Sequence, residues 1–174
     1  MDDALVEAAR RGDPEARGAL VERHYEVVYR TALSMVSQPD LASDVAQDAF
    51  LKAFRGLNGF RGDAAFRTWL LTITGNEARG VLRKRQRRRE TSLEDAGPVV
   101  ARGPSPETEI SVSDEAARAR RFLERLPEKQ RLCVALRIDE GMSFKEIGEV
   151  IGSSEGAARV SYFHGIRKLR EWMT

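Results

Sequence analysis

The 174-residue chain contains a single cysteine, Cys133. An internal disulfide framework and a cysteine zinc site are therefore excluded. Histidine is almost as scarce. His24 and His164 stand far apart, with no metal-binding spacing around either. No nucleophile, base or metal constellation is apparent, so the chain reads as a protein other than an enzyme, without a cofactor. No apolar run is long enough to cross a bilayer. The opening MDDALVEAARRGD has no hydrophobic signal core. These absences predict a cytoplasmic protein with no membrane insertion. Aromatic residues are also few, at 7%, so the places where they gather carry information.

Charge is abundant. Asp, Glu, Lys and Arg make up 32% of the chain, yet the formal net charge is only +2. That near-balance conceals segregation. Basic residues crowd between Arg83 and Arg89 and again near the C-terminus, while acids collect between Glu107 and Glu115. Such a distribution suits a protein that meets nucleic acid on chosen faces. The length allows one medium domain or two small ones.

One stretch organises the rest, FRGDAAFRTWLLTITGNEARGVLRKRQRRR from Phe60 to Arg89. Phe60, Phe66 and Trp69 lie close together with Arg61 and Arg67 between them. Arg83, Lys84, Arg85, Arg87, Arg88 and Arg89 follow almost without interruption. Rings stack on bases and cationic side chains neutralise phosphates, so the segment suits unstacked DNA or RNA. The alternative is a core cluster followed by a solvated helix end, with Phe66 and Leu70 as the core members.

Around it the pattern is helical. A short helix is expected from Asp3 to Arg11, ending at Gly12. Asp13 and Pro14 then open a helix reaching Val36, with Val21, Tyr25, Val28, Ala32 and Met35 toward a core. Asp40 is the expected cap of a third helix, from about Leu41 to Leu57, whose inner face is Leu41, Val45, Ala49, Ala53 and Leu57. Ala46, Phe50 and Phe54 widen that face. Asp44, Gln47, Asp48 and Leu51 share another, which is either a partner-binding strip or an ordinary solvated face with one stray leucine. A glycine-punctuated loop leads to the aromatic helix near Ala64. Residues 91–112 lose all period and read as a flexible, acidic linker between domains 1–90 and 113–174.

The C-terminal half resumes with Ser113 as a helix cap and with Ala117, Phe122, Leu123 and Leu126 as apolar positions. Pro127 starts another helix, in which Cys133 is expected to be buried and inert. A short helix from Ser143 to Val150, a turn at Ile151–Ser154 and a longer helix to about Trp172 follow. Ala158, Tyr162, Gly165 and Leu169 form the inner stripe of that last helix; Arg159, Phe163 and Arg167 point outward beside Val160 and His164. Two helices about a glycine-containing turn, the second basic outside, describe a helix-turn-helix.

Both halves together resemble the extracytoplasmic-function sigma factors of bacterial RNA polymerase. DVAQDAFLKAFRGLNGFRGDAAFRTWL is similar to that family's second conserved region. LPEKQRLCVALRIDEGMSFKEIGEVIGSSEGAARVSYFHGIRKLR is similar to its fourth. The resemblance implies an all-α protein in which a region 2-like bundle and a region 4-like helix-turn-helix domain are joined by the linker. It places Asp44, Gln47, Asp48, Phe50 and Leu51 against the clamp helices of the largest polymerase subunit, with the flap of the second-largest subunit as a further contact. It assigns Phe60, Arg61, Trp69 and Asn76 to opening the minus-ten element and holding a flipped base, and the run from Arg83 to Arg89, with Arg83, Lys84 and Arg85 at its head, to the neighbouring phosphates. It assigns Arg159, Val160, Phe163, His164 and Arg167 to the minus-thirty-five element. It also implies that the linker threads toward the polymerase active-site channel, and that an anti-sigma factor restrains the protein. Where the family usually carries a basic residue and an aspartate, this chain has Gly75 and Gly80. The competing readings are a helix-turn-helix regulator that works without polymerase, and an RNA-binding adaptor using the Trp69 surface.

Overall fold

The computed structural model describes residues 2–92 and 114–174. Among them every regular element is helical. The chain divides into two compact units, Met1–Ser92 and Leu93–Thr174. The expected linker lies outside the described residues, except that Thr91 and Ser92 still belong to a helix.

The first unit holds α1 (Asp3–Arg10), α2 (Pro14–Val36), α3 (Pro39–Gly56), a 3₁₀ turn (Leu57–Gly59) and α4 (Phe66–Ser92). Helices α2, α3 and α4 pack on one another and α1 lies along α2. Asp13 caps α2 as expected, its carboxylate accepting from the Glu15 and Ala16 amides, with Pro14 at the first helical position. The buried face of α2 is Leu20, His24, Val27, Val28, Thr31, Ala32 and Met35. Tyr25 was expected inside, but it stands 42% exposed and stacks on Tyr29 at 6.1 Å. Val28, Ala32 and Met35 are buried as expected and Val21 is half-buried. In the first half of the helix the stripe falls one residue earlier, on Leu20 and His24, where Asp2 satisfies the His24 ring nitrogen at 2.8 Å. Asp40 does not cap α3 either. Pro39 starts that helix two residues earlier than expected, after Gln38, and Asp40 sits within its first turn.

Most of the expected inner face of α3 is buried, namely Val45, Ala46, Ala49, Phe50 and Ala53, while Leu41 and Phe54 are half-buried. The alanines let α3 approach its neighbours closely. Each fully buried leucine on the facing helix, Leu70 and Leu71, contributes roughly 1.5–3 kcal/mol of burial. At 27 residues, α4 is about 40 Å long. Its first half is core and its second half projects as a basic rod, with Arg83, Lys84, Arg87, Arg88 and Arg89 exposed.

The second unit contains α5 (Asp114–Glu124), α6 (Glu128–Ile138), α7 (Phe144–Ile151) and α8 (Glu155–Met173). Helices α6, α7 and α8 pack mutually, and α5 lies on α8. The expected cap Ser113 and the side chain of Ala117 lie outside the described residues. Phe122 and Leu123 are half-buried, and Leu126 is buried. Cys133 is buried as expected. Burial pushes its thiol up to about 11, against a smaller opposing pull from Lys129, so it is a neutral apolar group at physiological pH.

Candidate nucleic-acid and polymerase surfaces

Ser143 opens α7 with a reciprocal capping box. Its hydroxyl accepts from the Glu146 amide at 3.2 Å, and the Glu146 carboxylate accepts from the Ser143 amide at 2.8 Å. Gly152 ends α7 in the left-handed region, at φ 68°, which glycine adopts without penalty. Ser154 caps α8 through the Ala157 amide at 3.1 Å. Two caps and one left-handed residue thus fix the angle between two short helices. Close approach fixes the rest: a Cβ on Gly148 would lie 2.8 Å from the Ser153 carbonyl oxygen, and one on Gly165 would lie 2.8 Å from a Val134 methyl. Helical period places Gly165 on the inner stripe of α8 but does not reveal how close either contact is. The signal is a glycine where a helix interior ordinarily disfavours one.

With Ala158 and Gly165 buried beneath it, α8 presents Arg159, Val160, Phe163, His164 and Arg167 outward. Val160 and Phe163 are large apolar side chains left 55% and 56% exposed. Arg159 is held on two sides. Glu155 pairs with it at 2.8 Å, and its guanidinium lies 5.3 Å from the centre of the Phe144 ring. All five sequence-predicted residues of this helix therefore share one open face.

In the first unit the aromatic cluster is compact. The Phe60 ring lies 5.0 Å from Trp69 and 5.9 Å from Phe66, and Phe66 lies 5.9 Å from Trp69. Phe60 and Phe66 are buried, while Trp69 is half-buried and Arg61 exposed. The expectation that Phe60 itself offers a stacking face is therefore corrected. It is a wedge behind Trp69, whose ring is the open member. Seven residues are close to two helical turns, so Trp69, Asn76 and Arg83 form one stripe along α4, each about 10 Å from the next. Asn76 is exposed, and its side-chain carbonyl accepts from Arg79 at 2.7 Å, which leaves its NH₂ group to donate. Arg83, Lys84 and Arg87 continue on or beside the stripe. Arg85 departs from the expected row: it is half-buried and lies on the side of α4 that carries Leu70, Leu71, Thr74 and Ala78.

On α3, Asp44, Gln47, Asp48 and Leu51 are all exposed and share a face, with Leu51 48% exposed. Phe50 does not join them. It is buried, 6.2 Å from Phe54, and supports the strip from behind. Beside the strip, Lys52 pairs with Glu77 of α4 at 2.5 Å. The residue after the exposed leucine is thus tied to the residue after the exposed asparagine. Among the described residues no group of His, Cys, Asp and Glu is placed to hold a metal, and no helix is long and apolar enough to cross a membrane.

These features define a class of protein: an all-helical, two-unit nucleic-acid-binding protein with a helix-turn-helix reader in its second unit and an aromatic, cationic helix in its first. Comparison with known proteins narrows it. The sigma-70 region 2 family profile matches residues 20–88, and the sigma-70 region 4 profile matches residues 122–171. The RNA polymerase sigma-H factor of Pseudomonas aeruginosa is 35% identical over 171 residues, covering 94% of this chain and 89% of that protein. The ECF RNA polymerase sigma-E factor of Escherichia coli K12 is 35% identical over 171 residues, covering 93% and 88%. Among solved structures, CnrH in complex with the cytosolic domain of CnrY is 28% identical with a TM-score of 0.67, covering 99% of this chain and 96% of that one. The Bartonella quintana sigma factor RpoE, in complex with the anti-sigma factor NepR, has the same fold at a TM-score of 0.69 and 24% identity.

The chain belongs to the extracytoplasmic-function sigma factors of RNA polymerase. Its function is that of the family: to direct core polymerase to promoters and initiate transcription. Its relatives are regulatory proteins rather than enzymes.

Proposed function

We propose that the chain divides this work among three surfaces. The α3 strip of Asp44, Gln47, Asp48 and Leu51 docks on the clamp helices of the largest polymerase subunit. The Trp69–Asn76–Arg83 stripe of α4 opens and holds the minus-ten element. The outer face of α8 reads the minus-thirty-five element as duplex. Residues 1–90 and 113–174 then act as separate modules on either side of residues 91–112, which run toward the polymerase active-site channel. All three surfaces act in the cytoplasm.

The physical case is specific for each. An unstacked base costs a few kcal/mol to expose, and stacking on Trp69 with a hydrogen bond from Asn76 offsets about 1–3 kcal/mol of it. Arg83, Lys84 and Arg87 neutralise phosphates along the same strand. On α8, Arg159 suits bidentate contact with guanine, and Val160 and Phe163 suit a thymine methyl or sugar. For the flap of the second-largest subunit, the second unit offers an apolar groove between α5, α6 and α8, lined by Leu123, Val134, Ile138, Leu169 and Met173. Ile138 and Met173 stand 59% and 61% exposed at its rim. CnrH is bound by the cytosolic domain of another protein in its structure, and a restraining anti-sigma partner that covers the same surfaces is part of the proposal.

The observation that carries the reading is the exposed acidic strip around Leu51, because a DNA-binding regulator that works without polymerase has no use for it. Asp44→Lys with Asp48→Lys should weaken binding to core polymerase by at least about tenfold, while helical content and binding of α8 to duplex DNA persist. Wild-type affinity for core enzyme in that double variant would refute the docking assignment and favour the polymerase-independent regulator.

A further inference from the structure

Helix α1 precedes the region 2 match, which begins at residue 20. Its packing nevertheless leads to the minus-ten surface from both ends. At its C-terminal end, Arg10 reaches the loop after α3. The Arg10 Nε donates to the Leu57 carbonyl at 3.2 Å, and its Nη2 donates to the Phe60 carbonyl. The same guanidinium lies 6.0 Å from the centre of the Phe60 ring. Just before its N-terminal end, Asp2 accepts from Arg23 at 2.7 Å and meets the His24 ring at 2.8 Å. His24 in turn lies 5.6 Å from Phe66. Phe60 and Phe66 are the two buried rings behind Trp69.

The loop needs such support. Gly56, Gly59 and Gly62 punctuate it, and Gly62 takes a positive φ of 78°. Glycines give the loop many accessible conformations. Its carbonyls at Leu57 and Phe60 lie where no regular helix supplies donors beyond the single 3₁₀ bond from the Phe60 amide. A planar guanidinium can grip both carbonyls at once; a lysine ammonium, a point donor on a flexible stem, cannot hold that fork.

We infer that α1 is a brace for the minus-ten pocket, with Arg10 as the positioning residue that sets the Leu57–Gly62 loop and the Phe60 wedge beneath Trp69. The inference rests on the proposed role of Trp69. It adds a positioning residue outside the region that the family match covers. Arg10 touches no DNA in this account and acts through Phe60.

The test uses the full chain assembled with core polymerase, in the variants Arg10→Lys, Arg10→Gln and Trp69→Ala. Two affinities are measured. One is for core enzyme. The other is that of the holoenzyme for a fluorescent single-stranded oligonucleotide carrying the non-template minus-ten sequence of a promoter the wild type opens. Both Arg10 variants should bind core within about twofold of wild type, since the α3 strip is a separate surface. Both should bind the oligonucleotide about tenfold more weakly, because a pocket loosened by a fraction of an ångström forfeits that much. Restoration of wild-type oligonucleotide affinity by Arg10→Lys would overturn the brace, because charge alone would then suffice. A parallel fall in both affinities would also overturn it, reducing Arg10 to general stability. If Trp69→Ala loses the oligonucleotide while both Arg10 variants keep it, the brace fails and the pocket stands. If Trp69→Ala binds as wild type, the pocket itself is misplaced and the brace falls with it.

Discussion

Replacing Gly148 by alanine tests how the helix-turn-helix is held. The new Cβ would lie 2.8 Å from the Ser153 carbonyl oxygen, 3.1 Å from the Ser154 carbonyl carbon and 3.2 Å from the Glu155 amide nitrogen. All three atoms are backbone, in the turn itself, so no side chain can rotate aside. Overpacking of this kind costs about 1–3 kcal/mol, and the better helix propensity of alanine offsets about 1 kcal/mol. Three rigid contacts put the strain at the upper end, for a net loss of about 2 kcal/mol. For a unit of this size, that lowers the thermal midpoint by about 8–16 °C. Two other glycines calibrate the result. At Gly165 the nearest atom is a Val134 side-chain methyl, with the Gln130 carbonyl oxygen farther off at 3.4 Å. One side-chain methyl rather than three backbone atoms must give way, so Gly165→Ala should cost less. At Gly156 nothing lies within 4 Å, so Gly156→Ala should be neutral or stabilising by up to about 1 kcal/mol. Circular dichroism melting of the full chain, followed by duplex binding, reads all three. A Gly148→Ala protein that melts with wild type, or no lower than Gly165→Ala, would refute the tight-turn argument.

Other outcomes follow from the same geometry. Arg159→Ala should relax discrimination at one base pair of the minus-thirty-five element by about 1–3 kcal/mol, read by competition among duplexes differing at that pair. Trp69→Ala should weaken single-strand minus-ten binding by about 1–3 kcal/mol and leave duplex binding by α8 unchanged. Cys133 is raised by burial from an ordinary 9.0 to about 11. Its contribution to stability is therefore complete below pH 9 and is lost as pH rises through about 11; urea midpoints against alkaline pH should fall more steeply in wild type than in Cys133→Ala. Burial alone would raise the Asp2 carboxyl, but the hydrogen bond from Arg23 and the charge and hydrogen bond of His24 outweigh it and hold it below its ordinary value. Its contribution is present above the ordinary carboxyl range and lost as pH falls below it. The stability gap between wild type and Asp2→Asn should close on acidification.

Much of this architecture was legible in the sequence, for identifiable reasons. The ends of α2 were marked by the Asp13–Pro14 start and the break at Ser37–Asp40, and the end of α7 by the turn at Ile151–Ser154. The exposed faces of α3 and α8 followed from helical period alone. What escaped was tertiary. Tyr25 and His24 are neighbours on α2, and only the distant Asp2 decides which of them enters the core. Phe50 and Leu51 were separated correctly by helical period, inner face from outer, and it was the resemblance that grouped Phe50 with the exposed strip. Arg85 sits within a basic run broken only by Gln86, where composition cannot show that one side of α4 still faces inward. The grip of Arg10 on Leu57 and Phe60 joins residues about fifty positions apart, beyond the reach of local pattern.

Run-off transcription with core polymerase and a genomic promoter library tests the central claim most directly. The wild-type chain should create a set of start sites absent with core enzyme alone, and the Asp44→Lys, Asp48→Lys double variant should lose them. Start sites identical with and without the chain, or undiminished in the double variant, would contradict the account.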